Sequence, residues 1–339
     1  MFHYWQMLVW GTTGTKRSNK DEATSRERGR DNMPELPEVE TVRRTLSQLI
    51  TGKQIDRVTV SLPRILQKPD DPLVFAAQLE GRTFQSVERR GKFLRLVMDG
   101  LVLVSHLRME GRYGLFDSET LPEKHTHVIF HFTDGTELRY KDVRQFGTMH
   151  LFMPGEELQA PPLNKLGLEP LEEGFTLEVF RRALGKRSTK IKPLLLNQEV
   201  VVGLGNIYVD EALHMAGIHP ETSANELKRK EQELLHLAIV ETLSAAVEAG
   251  GSSIKSYVNG QGEMGLFQHS LKAYGRTGEP CLNCGNLIEK SVVGGRGTHI
   301  CPKCQKQPHN NISKSDSNSM NTLKQRNNKV KDRLDGLDN

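Results

Sequence analysis

Residues 281–304 read CLNCGNLIEKSVVGGRGTHICPKC, two Cys-x2-Cys pairs (Cys281/Cys284 and Cys301/Cys304) separated by sixteen residues. That spacing suits two tight turns presenting four thiolates to one tetrahedral Zn2+. Every coordination position is then filled by protein, so the expected site is structural, and such a ribbon by itself says nothing about catalysis. Four unrelated buried cysteines, or a redox pair, is the weaker reading of two matched pairs. Between the pairs lies Gly294-Gly295-Arg296-Gly297, a cation on a flexible hairpin tip. It suits a phosphate, although an exposed arginine on a loop is often simply solvated.

Upstream of the cysteines the periodicity is helical. Glu178–Leu184 forms a short helix, and Asn206 reads as the cap of another that Gly217 stops. Ser223 and Glu226 form a capping box ahead of a long helix carried by Leu227, Leu234, Leu235, Ala238 and Leu243 towards Gly250-Gly251. At the mouth of the Asn206 helix, Gly203-Leu204-Gly205-Asn206 offers backbone N–H groups and a side-chain amide to an anion; an ordinary Asn cap is an equal reading. Arg181, Arg182, Lys186, Arg187, Lys190 and Lys192 fall within twelve residues without an acid, and Arg89, Arg90, Lys92 and Arg95 make a smaller group. Phosphate binding is favoured for the first group, a solvated face being the alternative.

The first half is β-rich. Pro37 with Glu38 and Glu40 marks a helix start, and Val39, Val42, Leu46 and Leu49 give it one apolar face through about Ile50. Strand-like runs follow at Ile55–Val60, Thr83–Val87, Phe93–Met98, Leu101–Ser105, His127–Phe132 and Thr136–Tyr140. Asp99-Gly100 and Asp134-Gly135 supply hairpin turns between paired runs.

Composition bounds the rest. The 339 residues, 36% apolar and 26% charged, are enough for two domains and an appendage. No apolar run nears the ~18–20 residues of a membrane span, and the first ten residues lack the pattern of a secretory signal. A membrane protein, a disulfide-rich secreted mini-protein and a wholly disordered chain are excluded. The net charge of +4 sits at the ends: residues 1–32 carry six Lys/Arg against four Asp/Glu, residues 306–339 seven against four, and the body 33 against 34. Nucleic acid must therefore be met by local patches. Residues 1–32 and 306–339 show no pattern able to bury a face and are expected to be disordered.

Met33-Pro34-Glu35-Leu36-Pro37-Glu38 alone is helix-start punctuation. Joined to the zinc pattern and the Gly-Asn tip, it makes residues 33–305 closely resemble the formamidopyrimidine-DNA glycosylase family. The motifs that carry the resemblance, in the family's order, are PELPEVETVRR (34–44), RRGKFL (89–94), SHLRMEGR (105–112), DVRQFG (142–147), VVGLGNIYVDEAL (201–213), AYGRTGEPC (273–281) and GGRGTHICPKCQ (294–305). Leu36, where the sibling endonuclease VIII group typically has glycine, favours the oxidised-purine branch.

The resemblance implies an α+β, two-domain chain. An N-terminal helix plus β-sandwich (33–160) would be followed by a helix–two-turn–helix bundle (161–272), a zinc ribbon (273–305) and the tail. It implies a bifunctional DNA glycosylase and abasic-site lyase acting on 8-oxoguanine and formamidopyrimidines in duplex DNA. Pro34 would be the nucleophile, through a Schiff base and β,δ-elimination. Glu35 would be the acid/base group and Glu38 a supporting carboxylate. Lys92 would contact the lesion phosphate with a part in catalysis, joined by His106, Asn206 and Arg296 as phosphate ligands. Met109, Arg144 and Phe146 would fill the duplex where the nucleotide is everted. Ser252–Gln268 would close over the base, and Cys281, Cys284, Cys301 and Cys304 would hold one structural Zn2+, with no other cofactor. A monomer in a reducing cytoplasm is expected, with no membrane partner.

One departure bears on the chemistry. Thirty-three residues precede Pro34 here, which makes the proline nitrogen a tertiary amide unable to form a Schiff base, so the expectation is that Met33 is the true start and that 1–32 comes from a gene start placed too far upstream. The alternatives are an endonuclease VIII-like enzyme for oxidised pyrimidines, or a non-catalytic zinc-ribbon DNA-binding protein with Pro34 blocked.

Overall fold

The computed structural model describes residues 33–185, 187–252 and 265–308. The segments 1–32 and 309–339, Lys186 of the basic run, and most of the 252–268 loop lie outside the described residues.

Helix α1 (Leu36–Ile50) opens the first half with Glu35 at its N-cap and Pro37 in its first turn, burying Val39, Val42, Leu46 and Ile50. Strands β1 (Ile55–Val60), β7 (Thr126–Phe132), β8 (Thr136–Lys141) and β6 (Arg112–Asp117) form one sheet in the order β1-β7-β8-β6. The second sheet runs β2-β9-β5-β4-β3, from β2 (Leu66–Lys68), β9 (Thr148–Phe152), β5 (Leu101–His106), β4 (Phe93–Met98) and β3 (Phe84–Arg90). Their inner faces share one core, in which Leu94, Leu96 and Leu103 of the second sheet meet Val128, Phe130 and Leu138 of the first. Gly100 and Gly135 take φ of 76° and 82° in the Asp-Gly turns.

In this half three strands and a helix escaped the sequence reading. β2 and β9 are short, β6 is interrupted by Gly114, and α2 (Pro72–Leu79) is an eight-residue helix capped by Asp71.

Past β9 come α3 (Leu177–Leu184), α4 (Ile191–Leu196), α5 (Asn206–Ala216) and α6 (Arg229–Glu248). α5 is buried almost all round, and Gly217 ends it at φ 68°. The expected capping box at Ser223 and Glu226 is corrected. Ala224–Glu226 is a separate turn of 3-10 helix and Leu227 is extended, so α6 starts at Arg229, where Glu231 accepts from the Lys228 N–H at 2.7 Å. Leu235, Ala238 and Leu243 are buried as expected, whereas Leu234 is largely exposed. A hairpin of β10 (Glu289–Val293) and β11 (Arg296–Ile300) completes the fold, turning at Gly294 and Gly295, both at positive φ. Among the described residues no helix is long and apolar enough to cross a membrane.

Candidate active site

Pro34 and Glu35 sit buried where the sandwich meets the helical half. The Glu35 carboxylate accepts from the N–H groups of Gly205 (2.7 Å), Ile207 (2.9 Å) and Tyr208 (3.4 Å). It therefore occupies the positive end of α5 as an anion would. Burial outweighs these donors and the nearby Lys92 ammonium, and pushes the carboxyl up to about 7. Lys92 is buried as well, donating to the Leu204 carbonyl at 2.8 Å, and burial pushes its pKa down. An acid that is part-protonated at neutral pH thus stands next in the chain to Pro34, beside a buried amine.

Glu38 ties this corner together. One oxygen accepts from the Glu35 N–H (2.9 Å), the other from the Tyr208 hydroxyl (2.6 Å) and from both the N–H and the hydroxyl of Ser252 (2.7 and 3.0 Å). The stem of the 252–268 loop is thereby fixed to the residue that follows Pro34. Tyr208 and Ser252 were not foreseen, because nothing in their local pattern signals a buried carboxylate partner.

The Gly-Asn tip needs correction. The backbone donors of Gly205, Ile207 and Tyr208 are given to Glu35, which leaves them closed to a phosphate. Asn206 caps nothing; Gly205 is the N-cap and Asn206 the first helical residue. The Asn206 amide instead donates to the Gly297 carbonyl at 2.9 Å, so it lies against the hairpin that carries exposed Arg296. Space explains the glycines. A β-carbon on Gly205 would lie 2.2 Å from Glu35 Cδ, and one on Gly203 would lie 2.4 Å from Leu36 Cδ1. Gly205→Ala should therefore dislodge Glu35 from its donors, with a lowered melting temperature and excision slowed at least tenfold, in line with ~1–3 kcal/mol of overpacking. Single-turnover kinetics beside a melting curve checks it, and a wild-type rate would contradict it.

Lys192 is corrected too. It is not a surface phosphate ligand but fully buried, donating to Asp210 (2.6 Å), the Gly297 carbonyl and Thr298 (both 2.9 Å). Asp210 also accepts from the His299 N–H at 2.9 Å. This pair clamps the hairpin onto α5, which brings Asn206 and Arg296 together. The other described members of that run are spent locally as well: Arg182 pairs with Glu178, Lys190 with Glu221, Arg181 donates to the Arg229 carbonyl and Arg187 to the Ala183 carbonyl. In the smaller group Arg89 and Arg90 share Glu169, and Arg95 holds Glu88 and Glu157, leaving only Lys92 at the site.

His106 is buried beside Lys92 and Arg108, and burial holds its imidazole down at about 3. Its Nδ1 accepts the Arg108 N–H at 2.9 Å, so a neutral ring carries its proton on Nε2. It can donate to a phosphate without adding charge. Arg144 and Phe146 stand exposed, the guanidinium 5.2 Å from the ring centre. Asp142, wholly buried, accepts from the N–H groups of Arg144, Phe146 and Gly147 and so builds their loop. Gly111 and Gly147 both close on the Tyr140 hydroxyl, which sets the Met109 turn beside that loop. Met109 itself is half-buried.

The Sγ atoms of Cys281, Cys284, Cys301 and Cys304 all lie within 4.8 Å of one another. Four thiolates at ~2.3 Å from a tetrahedral ion stand about 3.8 Å apart, so the residues fit a structural Zn2+. Chemically, the ion would only hold the ribbon together.

The family models agree with this geometry. Residues 33–149 match the formamidopyrimidine-DNA glycosylase N-terminal domain, 166–258 the formamidopyrimidine-DNA glycosylase H2TH domain, and 278–307 the zinc finger found in FPG and IleRS. The formamidopyrimidine-DNA glycosylase of Brevibacillus brevis is 64% identical over 274 residues, 81% of this chain and 99% of that protein. The chain belongs to the formamidopyrimidine-DNA glycosylase family. The family enzyme of Bacillus subtilis is 57% identical over 273 residues, 80% of this chain and 99% of its own length. Among solved structures, the Lactococcus lactis Fpg bound to N7-benzyl-Fapy-dG DNA superposes with a TM-score of 0.76 at 45% identity. That match covers 81% of this chain and all of the other. The same Fpg with abasic-site DNA matches equally well over 80% of this chain.

Proposed function

We propose that the chain is a DNA glycosylase and AP lyase that removes oxidised purines from duplex DNA. The observation that carries this reading is Glu35: buried, raised to about 7, held by α5 and adjacent in sequence to Pro34.

With residues before it removed, Pro34 has a free secondary amine, and an α-amino group near pKa ~7.7–8 is partly neutral at physiological pH. Its nitrogen attacks C1′ of the damaged nucleotide as the glycosidic bond breaks and the base departs. Glu35 gives its proton to the ribose ring oxygen, the sugar opens, and an iminium forms between Pro34 and C1′. The iminium acidifies the 2′ proton. Loss of that proton expels the 3′ phosphate, a second elimination expels the 5′ phosphate, and water frees the enzyme. Glu38 keeps Glu35 and the Ser252 stem in register. Lys92, His106, Asn206 and Arg296 hold the distorted backbone, and Met109, Arg144 and Phe146 fill the gap left by the everted nucleotide. The family model's first matched residue, Met33, supports translation from that methionine, whose removal frees Pro34. Four thiolates reserved for a metal support work in a reducing cytoplasm.

Borohydride trapping on a duplex with one 8-oxoguanine, read by mass spectrometry, tests the reading. A covalent adduct whose protein begins at Pro34 is expected. Tight binding without adduct, from a chain starting at Met33, would leave a DNA-binding protein instead. Adduct only with oxidised pyrimidines would turn the specificity to the endonuclease VIII type.

A further inference from the structure

Arg108 occupies a left-handed backbone position, φ 53°, which glycine adopts freely and a long side chain does not. Its backbone explains the turn, since the Arg108 N–H is the donor to His106 Nδ1. A glycine would serve that bond better, so the turn does not account for the side chain. The side chain is exposed, and its guanidinium makes no hydrogen bond or ion pair among the described residues. Its charge acts on His106 on one side and on His150 on the other.

The sheet order continues the pattern. Phe93, which follows Lys92, pairs with His106; His106 pairs with Thr148; Lys68 pairs with His150. Neighbouring strands β4, β5, β9 and β2 thus set Lys92, Arg108, His150 and Lys68 in strand order across the sheet, the last two stepped inward from its end, since His150 pairs with Val104. His150 Nδ1 is a buried atom without a hydrogen-bond partner among the described residues, and the Lys68 ammonium lies over the Phe152 ring, 4.3 Å from its centre, with exposed Glu156 at 3.9 Å. Four strands at ~4.8 Å span roughly 14 Å, the axial length of about four phosphates on one DNA strand. The arginines that flank Lys92 are consumed: Arg89, Arg90 and Arg95 all lie in ion pairs.

We infer that Arg108 and Lys68 form a second phosphate-binding track, stepping outward from Lys92 across neighbouring strands of the sheet on either side of His150 and holding the duplex backbone beyond the lesion. The inference rests on the proposed action on duplex DNA. A backbone contact is favoured over a base contact because the track follows the line of Lys92 and is lined by charge and imidazole, with no amide group to read a base edge.

Equilibrium binding to an undamaged duplex and to one with an abasic analogue, across ~50–200 mM salt, tests it. Arg108→Gly keeps the turn, and Lys68→Gln keeps the stem of the other side chain. Each variant should lower the slope of log K against log salt by about 0.9 and weaken both duplexes alike, up to roughly eightfold near 0.1 M salt. The double variant should lose about two units of slope. Unchanged slopes in both single variants, with wild-type slope intact, would overturn the track alone. A loss confined to the abasic duplex would make Arg108 a lesion contact and overturn it too. Wild-type protein without salt-dependent duplex binding would overturn the proposed function itself.

Discussion

Glu35→Gln should slow single-turnover excision by roughly 10²–10⁴-fold, the usual worth of a positioned general acid. The wild-type rate should also rise and then fall with pH. Excision needs Pro34 neutral, which improves as pH climbs through ~7.7–8, and Glu35 protonated, which is lost as pH climbs through about 7. The product of the two fractions peaks between those values, with the falling limb belonging to Glu35. In the amide variant that limb should vanish, leaving a small rate that only rises with pH. A falling limb that survives in Glu35→Gln, or a rate within tenfold of wild type, would remove Glu35 from the acid role.

The same substitution carries a structural cost that must be separated from the chemical one. Both carboxylate oxygens accept backbone N–H groups, so the glutamine NH2 has to face one of those donors. An unmatched donor pair in a buried site costs ~1–3 kcal/mol, which a melting curve on the same sample measures. The loss of the pH limb is independent of that cost, because no misfit of an amide creates or removes a titration.

Whatever was legible in the sequence was local. The hairpins at Asp99-Gly100 and Asp134-Gly135, the face of α1 and the ribbon cysteines each follow from spacing or turn chemistry within a few residues. Pro34 and Glu35 were nameable only through motif resemblance, and it took the same resemblance to join Lys92, Asn206 and Arg296, local phosphate candidates from segments far apart in the chain, into one site. The misread phosphate ligands share one cause: long-range partners. The Gly205 N–H group reads as free until Glu35, 170 residues away, arrives to occupy it. Lys192 reads as one more surface cation until Asp210 and the ribbon enclose it. Arg144 and Phe146 show no periodicity that separates a wedge from core and surface residues; their exposure follows from Asp142 gathering the N–H groups around it.

Stripping zinc with a chelator should abolish tight duplex binding, a loss of at least a hundredfold, while the β-sandwich keeps its own melting transition. Arg296 stands on a hairpin with little core of its own beyond Cys281, Ile288 and Cys301, and structural zinc sites contribute folding energy directly. Zinc alone does not position Arg296, however. The hairpin reaches Asn206 because Lys192 spans from Asp210 to Gly297 and Thr298. Lys192→Met leaves Asp210 as a buried charge short of its cation, and breaking such a pair from one side costs ~3–5 kcal/mol. The variant should keep one zinc per chain and still bind duplex far more weakly, because the ribbon stays closed but no longer docks. Adding Asp210→Asn to it should recover part of the melting temperature by removing the orphaned charge. Zinc content measured beside duplex affinity distinguishes the two steps: loss of both in Lys192→Met would mean that docking and metal retention are one event, whereas zinc kept with affinity lost assigns the assembly of the phosphate grip to the buried pair.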